Sequence, residues 1–341
     1  MSDLMIGASA YPDADVKLMN ECGIEWVRRG FPYPWEDRVG GAASERYTKA
    51  KEQARSQIER GLKLMGVTPL HGIGTWEAGD DGERRLTWNA RSPSYMGEPG
   101  SKEFEDNYEA MCAFFADDLK GMVPAWQILN ELDIEQFGGP LNPRQACDLV
   151  LAAARGLKEN DSSLVIGTNT AGAPQAYYLY GYLYKDNAGL LDYCGVDGYF
   201  GTWQDGGPRN WDERIAELHA LTRTKVFVNE WGFSSYGELM TPEEDASGKH
   251  VCVYKKWRKT WGKGHTPEGQ ADFVREAYEV FRKHREVLLG GFFYRWEDQK
   301  ECWQCHEPDC PAETRWGLVD LEGKPKPAYY AFKEGVLRLK G

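Results

Sequence analysis

Short apolar runs recur along this chain, separated by longer segments whose apolar residues return every third or fourth position. The runs at 4–9, 24–30, 63–71, 123–130, 164–170, 193–200, 225–230 and 291–296 predict strands, and the spacing at 44–62, 104–120, 143–160, 212–221 and 267–285 predicts helices. Eight strands alternating with helices imply parallel pairing and closure into one (β/α)8 TIM barrel of the α/β class, with 1–341 as a single catalytic domain. The first connection, near 13–22, is short, and the fifth has no readable period. No internal repeat, low-complexity tract or linker divides the chain.

Three connections are longer than such a barrel needs: 72–102, 232–266 and 297–314. All leave the C-terminal ends of strands, the face on which this fold builds active sites. They carry Trp76, Trp88, Trp257, Trp261 and Trp303, which either pin the loops to the barrel or line a cleft. Aromatic residues make up 13% of the chain, more than a core of this size needs, and composition alone does not separate core packing from rings that line a groove.

A formal charge of −12 repels polyanions, so neither nucleic acid nor an acidic membrane is an expected partner. No run approaches the roughly 18 apolar residues of a membrane span. The first residues lack an export signal, which predicts a cytoplasmic protein or one secreted with its signal already removed. Nothing in the pattern indicates an oligomeric state.

Two strand ends stand out. The fourth run closes on Asn130-Glu131 and the seventh on Asn229-Glu230, each placing a carboxylate where an apolar strand meets the catalytic face. Burying charge there is costly without a partner or a purpose. Cleavage of a glycosidic bond needs such a pair: one carboxyl protonates the leaving oxygen while the other attacks or stabilises the anomeric carbon.

With these residues in place the chain resembles clan A of the glycoside hydrolases, the family 5 and family 39 type of retaining β-glycosidase and endo-glycanase barrels. The likeness rests on Asn130-Glu131, on Glu230, on 23–28 and on the C-terminal stretch 317–330. It implies Glu131 as general acid/base and Glu230 as nucleophile in a retaining hydrolysis of β-linked carbohydrate, glucan or mannan in type. It further implies that Arg28 contacts the nucleophile, with Arg29 the rival if the register slips by one. Asn130 would bond the sugar 2-hydroxyl, His71 would shape the cleft, Tyr199 would orient Glu230 and Trp296 would be the platform under the sugar. Trp35 and Trp203 join the expected substrate-binding set. Glu131-Leu132 departs from the Glu-Pro of many relatives, which leaves the subfamily open. A transglycosylase on the same site and a non-catalytic carbohydrate-binding barrel are the competing readings; no strand-end lysine or glycine-rich phosphate loop favours an unrelated barrel enzyme.

No cofactor is expected for the reaction. Cys22, Cys112, Cys147, Cys194 and Cys252 are scattered and read mainly as small buried hydrophobes. Cys302, Cys305 and Cys310 cluster, which admits a structural zinc with a fourth ligand such as His306 or Cys252, a disulfide with one free thiol, or three reduced thiols.

Overall fold

The computed structural model describes residues 4–78 and 84–341. Among the described residues ten strands are formed, in chain order: β1 (Met5–Ser9), β2 (Trp26–Gly30), β3 (Lys63–Val67), β4 (Gly72–Ala78), β5 (Arg84–Ala90), β6 (Ala125–Gln127), β7 (Val165–Thr168), β8 (Tyr193–Gly198), β9 (Lys225–Trp231) and β10 (Leu288–Phe293). All but β4 and β5 pair in parallel and close into a barrel, in which β6 and β9 are the fourth and seventh strands. The protein is a (β/α)8 TIM barrel.

The two-residue period of a strand sorts its side chains between the barrel's inside and its helical coat. Met5, Trp26, Met65, Ala125, Tyr193, Phe227 and Phe292 turn inward and fill one apolar layer. Their neighbours Ile6, Val27, Leu64, Trp126, Cys194, Val226, Val228 and Phe293 turn outward into the larger core beneath the helices. Further along the strands the inward positions become polar: Arg28, Gln127, Asp197 and Asn229 form a second layer above the first. Gly195 leaves that layer its space, since a Cβ there would sit 2.3 Å from Asn229 Oδ1 and 2.5 Å from the Thr168 carbonyl.

Strict alternation would send Glu230 outward, because Phe227 and Asn229 already face in. The ladder between β8 and β9 slips instead: Val196 pairs with Val228, but Asp197 pairs with Glu230. Such a bulge places one extra residue on one strand and re-aims the side chains beyond it. Here it brings Glu230 inward, opposite Asp197.

The coat shows the expected alternation. Helix Pro143–Asn160 starts with a capping box between Asn142 and Gln145 and packs against Lys102–Asp118. Gly156 allows the close approach, since a Cβ would lie 2.1 Å from the Glu109 carbonyl. Helix Pro267–Lys283 packs against the terminal helix Pro327–Lys340. Among the described residues no helix is long and apolar enough to cross a membrane.

Several boundaries differ from the pattern. The third and fourth barrel strands stop at Val67 and Gln127, short of His71 and Asn130, and the eighth runs earlier than expected, from Leu288 to Phe293. The connection 72–102 is no plain loop: β4 and β5 form an antiparallel hairpin within it, while its residues 79–83 lie outside the described set. Short helices at Pro242–Ala246 and Val251–Tyr254 interrupt 232–266, and the unreadable fifth connection contains a helix from Ala176 to Gly181.

Candidate active site

A cleft of about 1640 Å³ opens over the polar layer, lined by Arg28, Asn130, Glu131, Asp197, Tyr199 and Glu230 among others. Glu131 lies beyond its strand, on a turn in which Leu129 and Glu131 adopt φ of 57° and 43°. Left-handed backbone is costly for such residues and persists only where surroundings enforce it. They do so here: the Leu129 amide donates to Thr68 Oγ1 at 2.8 Å and the Glu131 amide to Asn169 Oδ1 at 3.2 Å.

Arg28 connects the two glutamates. Its Nη1 lies 2.6 Å from Glu230 Oε1, its Nη2 donates to Asn130 Oδ1 at 2.6 Å and its Nε to Gln127 Oε1 at 2.7 Å. Asn130 in turn donates to Glu131 Oε2 at 3.4 Å, and the Tyr199 hydroxyl donates to Glu230 Oε2. Gln127 and Asn169 brace the array, both donating to Asn130 Oδ1, at 3.1 and 3.0 Å. Asn229 donates to Gln127 Oε1 at 2.9 Å. Arg29 points the other way, to Gln57 and Gln53 on helix Glu45–Glu59.

Burial and neighbouring charge perturb two of the cleft's carboxyls. Burial, and then the charge of Glu230, hold Glu131 well above the usual carboxylate range. Asp197 is raised for the same two reasons, with Glu131 adding to them, and the Asp197 and Glu131 carboxyls hydrogen-bond one another. Asn169 Nδ2 donates to Asp197 Oδ2 at 2.5 Å. Burial works against the Arg28 charge, but Glu230 and then Asp197 outweigh it, so the guanidinium stays charged beside Glu230. Burial raises the Tyr199 hydroxyl well above its ordinary value and keeps it a donor.

Two expected residues stand elsewhere. His71 is fully buried, its Nε2 meets the Gly138 carbonyl at 3.0 Å and its ring lies against Trp88, so it supports the 134–139 turn behind the cleft wall. Trp296 is 2% exposed and packs on Tyr329. It cannot be a platform under a sugar. The aromatic that the last strand presents to the cleft is Tyr294, whose ring meets Tyr199 edge-on and whose hydroxyl donates to Glu313 Oε2 at 2.6 Å. Trp35 and Trp203 both line the cleft; Trp203 and Trp76 sandwich His250, at 5.5 and 4.3 Å between ring centroids. Of the loop tryptophans, Trp303 lines the cleft as well, whereas Trp257 is wholly buried beneath Trp203.

The sequence pattern does not single out Asp197, Asn169, Gln127, Tyr294 or Glu313. Asp197 carries a signal, an acidic residue late in an apolar run, the same feature that marks the two glutamates. Burial pushes Glu313 up to about 7, against hydrogen bonds from Tyr294 and Gln304 that lower it.

No protein-family model matches this chain, and no curated protein sequence does. Solved structures do. The GH10 xylanase of Thermobacillus composti superposes with a TM-score of 0.64 at 17% identity, over 98% of this chain and 97% of its own. The fold is one that glycoside hydrolases share. The exo-β-1,4-mannosidase of Opitutaceae bacterium strain TAV5 superposes at 0.65 with 15% identity, and a β-glucuronidase of an uncultured Clostridium species at 0.61 with 13%. Each covers 98% of this chain, which spans 59% and 50% of theirs.

Proposed function

We propose that the protein is a retaining glycoside hydrolase acting on β-linked oligo- or polysaccharide, with Glu131 as general acid/base and Glu230 as nucleophile. The observation that carries this reading is the unequal treatment of two carboxyls in one cleft. Burial and the nearby Glu230 charge raise the Glu131 carboxyl well above the usual carboxylate range, whereas Glu230 lies 2.6 Å from Arg28 Nη1 and accepts from the Tyr199 hydroxyl. Acid and base assignments rest on environments that split two carboxyls in this way.

In the first step Glu230 attacks the anomeric carbon as Glu131 gives its proton to the departing glycosidic oxygen, leaving a glycosyl ester on Glu230 and a carboxylate at 131. In the second, Glu131 takes a proton from water, the hydroxide attacks the same carbon, and the Glu230 carboxylate is released. No cofactor enters either step. Arg28 and Tyr199 stabilise the charge that Glu230 regains.

Long aromatic walls favour a glucan or mannan chain, and one of the structural neighbours is a mannosidase. A specific observation favours a second substrate class. Arg46, Lys49 and Arg91 also line the cleft. That side would accept a uronate.

The test is hydrolysis of aryl β-glycosides and β-linked oligosaccharides, neutral and uronate-bearing, and then azide rescue. Glu230→Gly with azide should form the α-glycosyl azide, and Glu131→Ala the β-glycosyl azide, because each variant blocks a different displacement. Binding without turnover by the intact protein would instead support a carbohydrate-binding barrel, and transfer to added sugar in preference to water would support a transglycosylase.

A further inference from the structure

Four cysteines meet behind the cleft wall. Cys252 comes from the connection after β9, and Cys302, Cys305 and Cys310 from the one after β10. Their sulfurs all lie within 4.8 Å of one another, with Cys252 Sγ 3.9 Å from Cys302 Sγ and 3.7 Å from Cys310 Sγ. A zinc tetrathiolate with Zn–S of about 2.3 Å spaces its sulfurs by roughly 3.8 Å, whereas a disulfide brings two of them to about 2.05 Å. All four residues are buried, inside an apolar cluster with Val251, Trp257, Ala312 and Trp316.

The backbone around the sulfurs has the form of a ligand loop. Cys302 and Cys305 have the Cys-x-x-Cys spacing of zinc knuckles. The chain turns tightly between them, with the amides of Cys305 and His306 donating to the Cys302 carbonyl at 3.3 and 2.7 Å. His306 takes the left-handed φ of 60° that reverses the chain, and its side chain is 75% exposed, so it is not the fourth ligand.

We propose that Cys252, Cys302, Cys305 and Cys310 bind one structural zinc ion that fastens the connection after β9 to the connection after β10. Binding exchanges four thiol protons for the metal and leaves no coordination position for water or substrate, so the ion takes no part in chemistry. Its role is set by the residues it backs. His250 precedes Cys252 by two residues, Trp303 and Gln304 lie between two of the ligands, and all three line the cleft. The Gln304 carbonyl accepts from the Trp76 amide at 3.2 Å, which ties β4 to the same loop. Tyr199, Trp203 and Tyr294, also cleft residues, pack directly on the cysteine cluster.

The experiment is elemental analysis of the chain as purified under reducing conditions without added chelator, and then titration with a mercurial that captures thiols. The expected result is one zinc per chain, released in step with thiol modification and absent from Cys252→Ala. Refolding the parent chain with cobalt in place of zinc should give the intense near-ultraviolet thiolate charge-transfer and visible bands of tetrahedral cobalt, a readout that does not depend on the variant folding. A metal-free chain with all its thiols open to alkylation once unfolded, a disulfide among these four, or iron in place of zinc would each overturn the proposal.

Discussion

Asp197 and Glu230 are register partners across β8 and β9, and the slip that pairs them also sets the Glu230 carboxylate 2.6 Å from Arg28. Arg28 is therefore shared: its other nitrogens reach Asn130 and Gln127. Arg28→Gln should lower kcat/KM on the order of 100-fold through lost charge stabilisation, and cost about 3–5 kcal/mol of stability because it leaves buried carboxylates without their cation. Arg28→Lys should restore part of the stability but little of the rate, since a single ammonium cannot serve three acceptors at once. Steady-state kinetics beside thermal unfolding of both variants checks this.

The raised Glu131 carboxyl sets the direction of the pH profile. A general acid works while protonated, so kcat/KM should hold below the Glu131 pKa and fall as pH rises through it, above the ordinary carboxylate range. Glu131→Gln should abolish that basic limb. It should also spare substrates with highly acidic phenol leaving groups far more than alkyl glycosides, because the former need no proton. Glu230→Gln should be inactive on both. Retention of the basic limb in Glu131→Gln would assign the acid to another group, with Asp197 the first to examine.

Glu313 gives a stability prediction with a definite sign. Its folded value of about 7 lies above the ordinary 4.5, so between those values the folded chain holds a proton that the unfolded chain has released. Stability from this group is therefore greatest below about 4.5 and declines until pH passes 7. Glu313→Gln removes that decline. Melting temperatures of variant and parent, tracked from pH 5 to 8, should move steadily in the variant's favour; a constant difference would show that Glu313 does not titrate there.

Trp296 and Trp203 separate packing from recognition. Trp296→Ala should cost about 3–5 kcal/mol as a core cavity while the folded fraction keeps its KM. Trp203→Ala, on the cleft wall, should raise KM severalfold for oligosaccharides. Inhibition by a non-hydrolysable oligosaccharide in each variant measures the difference directly.

Much of the fold is legible in the sequence. An amphipathic period reports which face of an element is buried, so the eight-stranded barrel and the helices expected at 143–160 and 267–285 can be read from pattern alone, the second ending two residues early, at Lys283. Glu131 and Glu230 are legible because a carboxylate closing an apolar strand is too costly to be accidental. The resemblance misplaces Trp296 for a physical reason: the strand ends at Phe293, and the chain beyond it turns Tyr294 to the cleft and Trp296 to the core. The hairpin β4–β5 is hidden because its half-buried strands cover a loop face and not a core. Cys252 lies 50 residues from Cys302, so spacing alone offers it only as one candidate beside His306, and the fold decides between them.

The slip at Asn229 lets neighbours in sequence be neighbours in task. A regular strand can give only every other residue to the inside of a barrel, so a reacting group and the group that steadies its surroundings must ordinarily stand two positions apart or come from different strands. With one surplus residue, Asn229 and Glu230 serve the same side in succession: the amide holds Gln127 while the carboxylate faces the cleft. Deleting Asn229 would restore the even rhythm and leave Glu230 facing inward, but alone. The irregularity is thus a way of fitting two tools into a slot made for one.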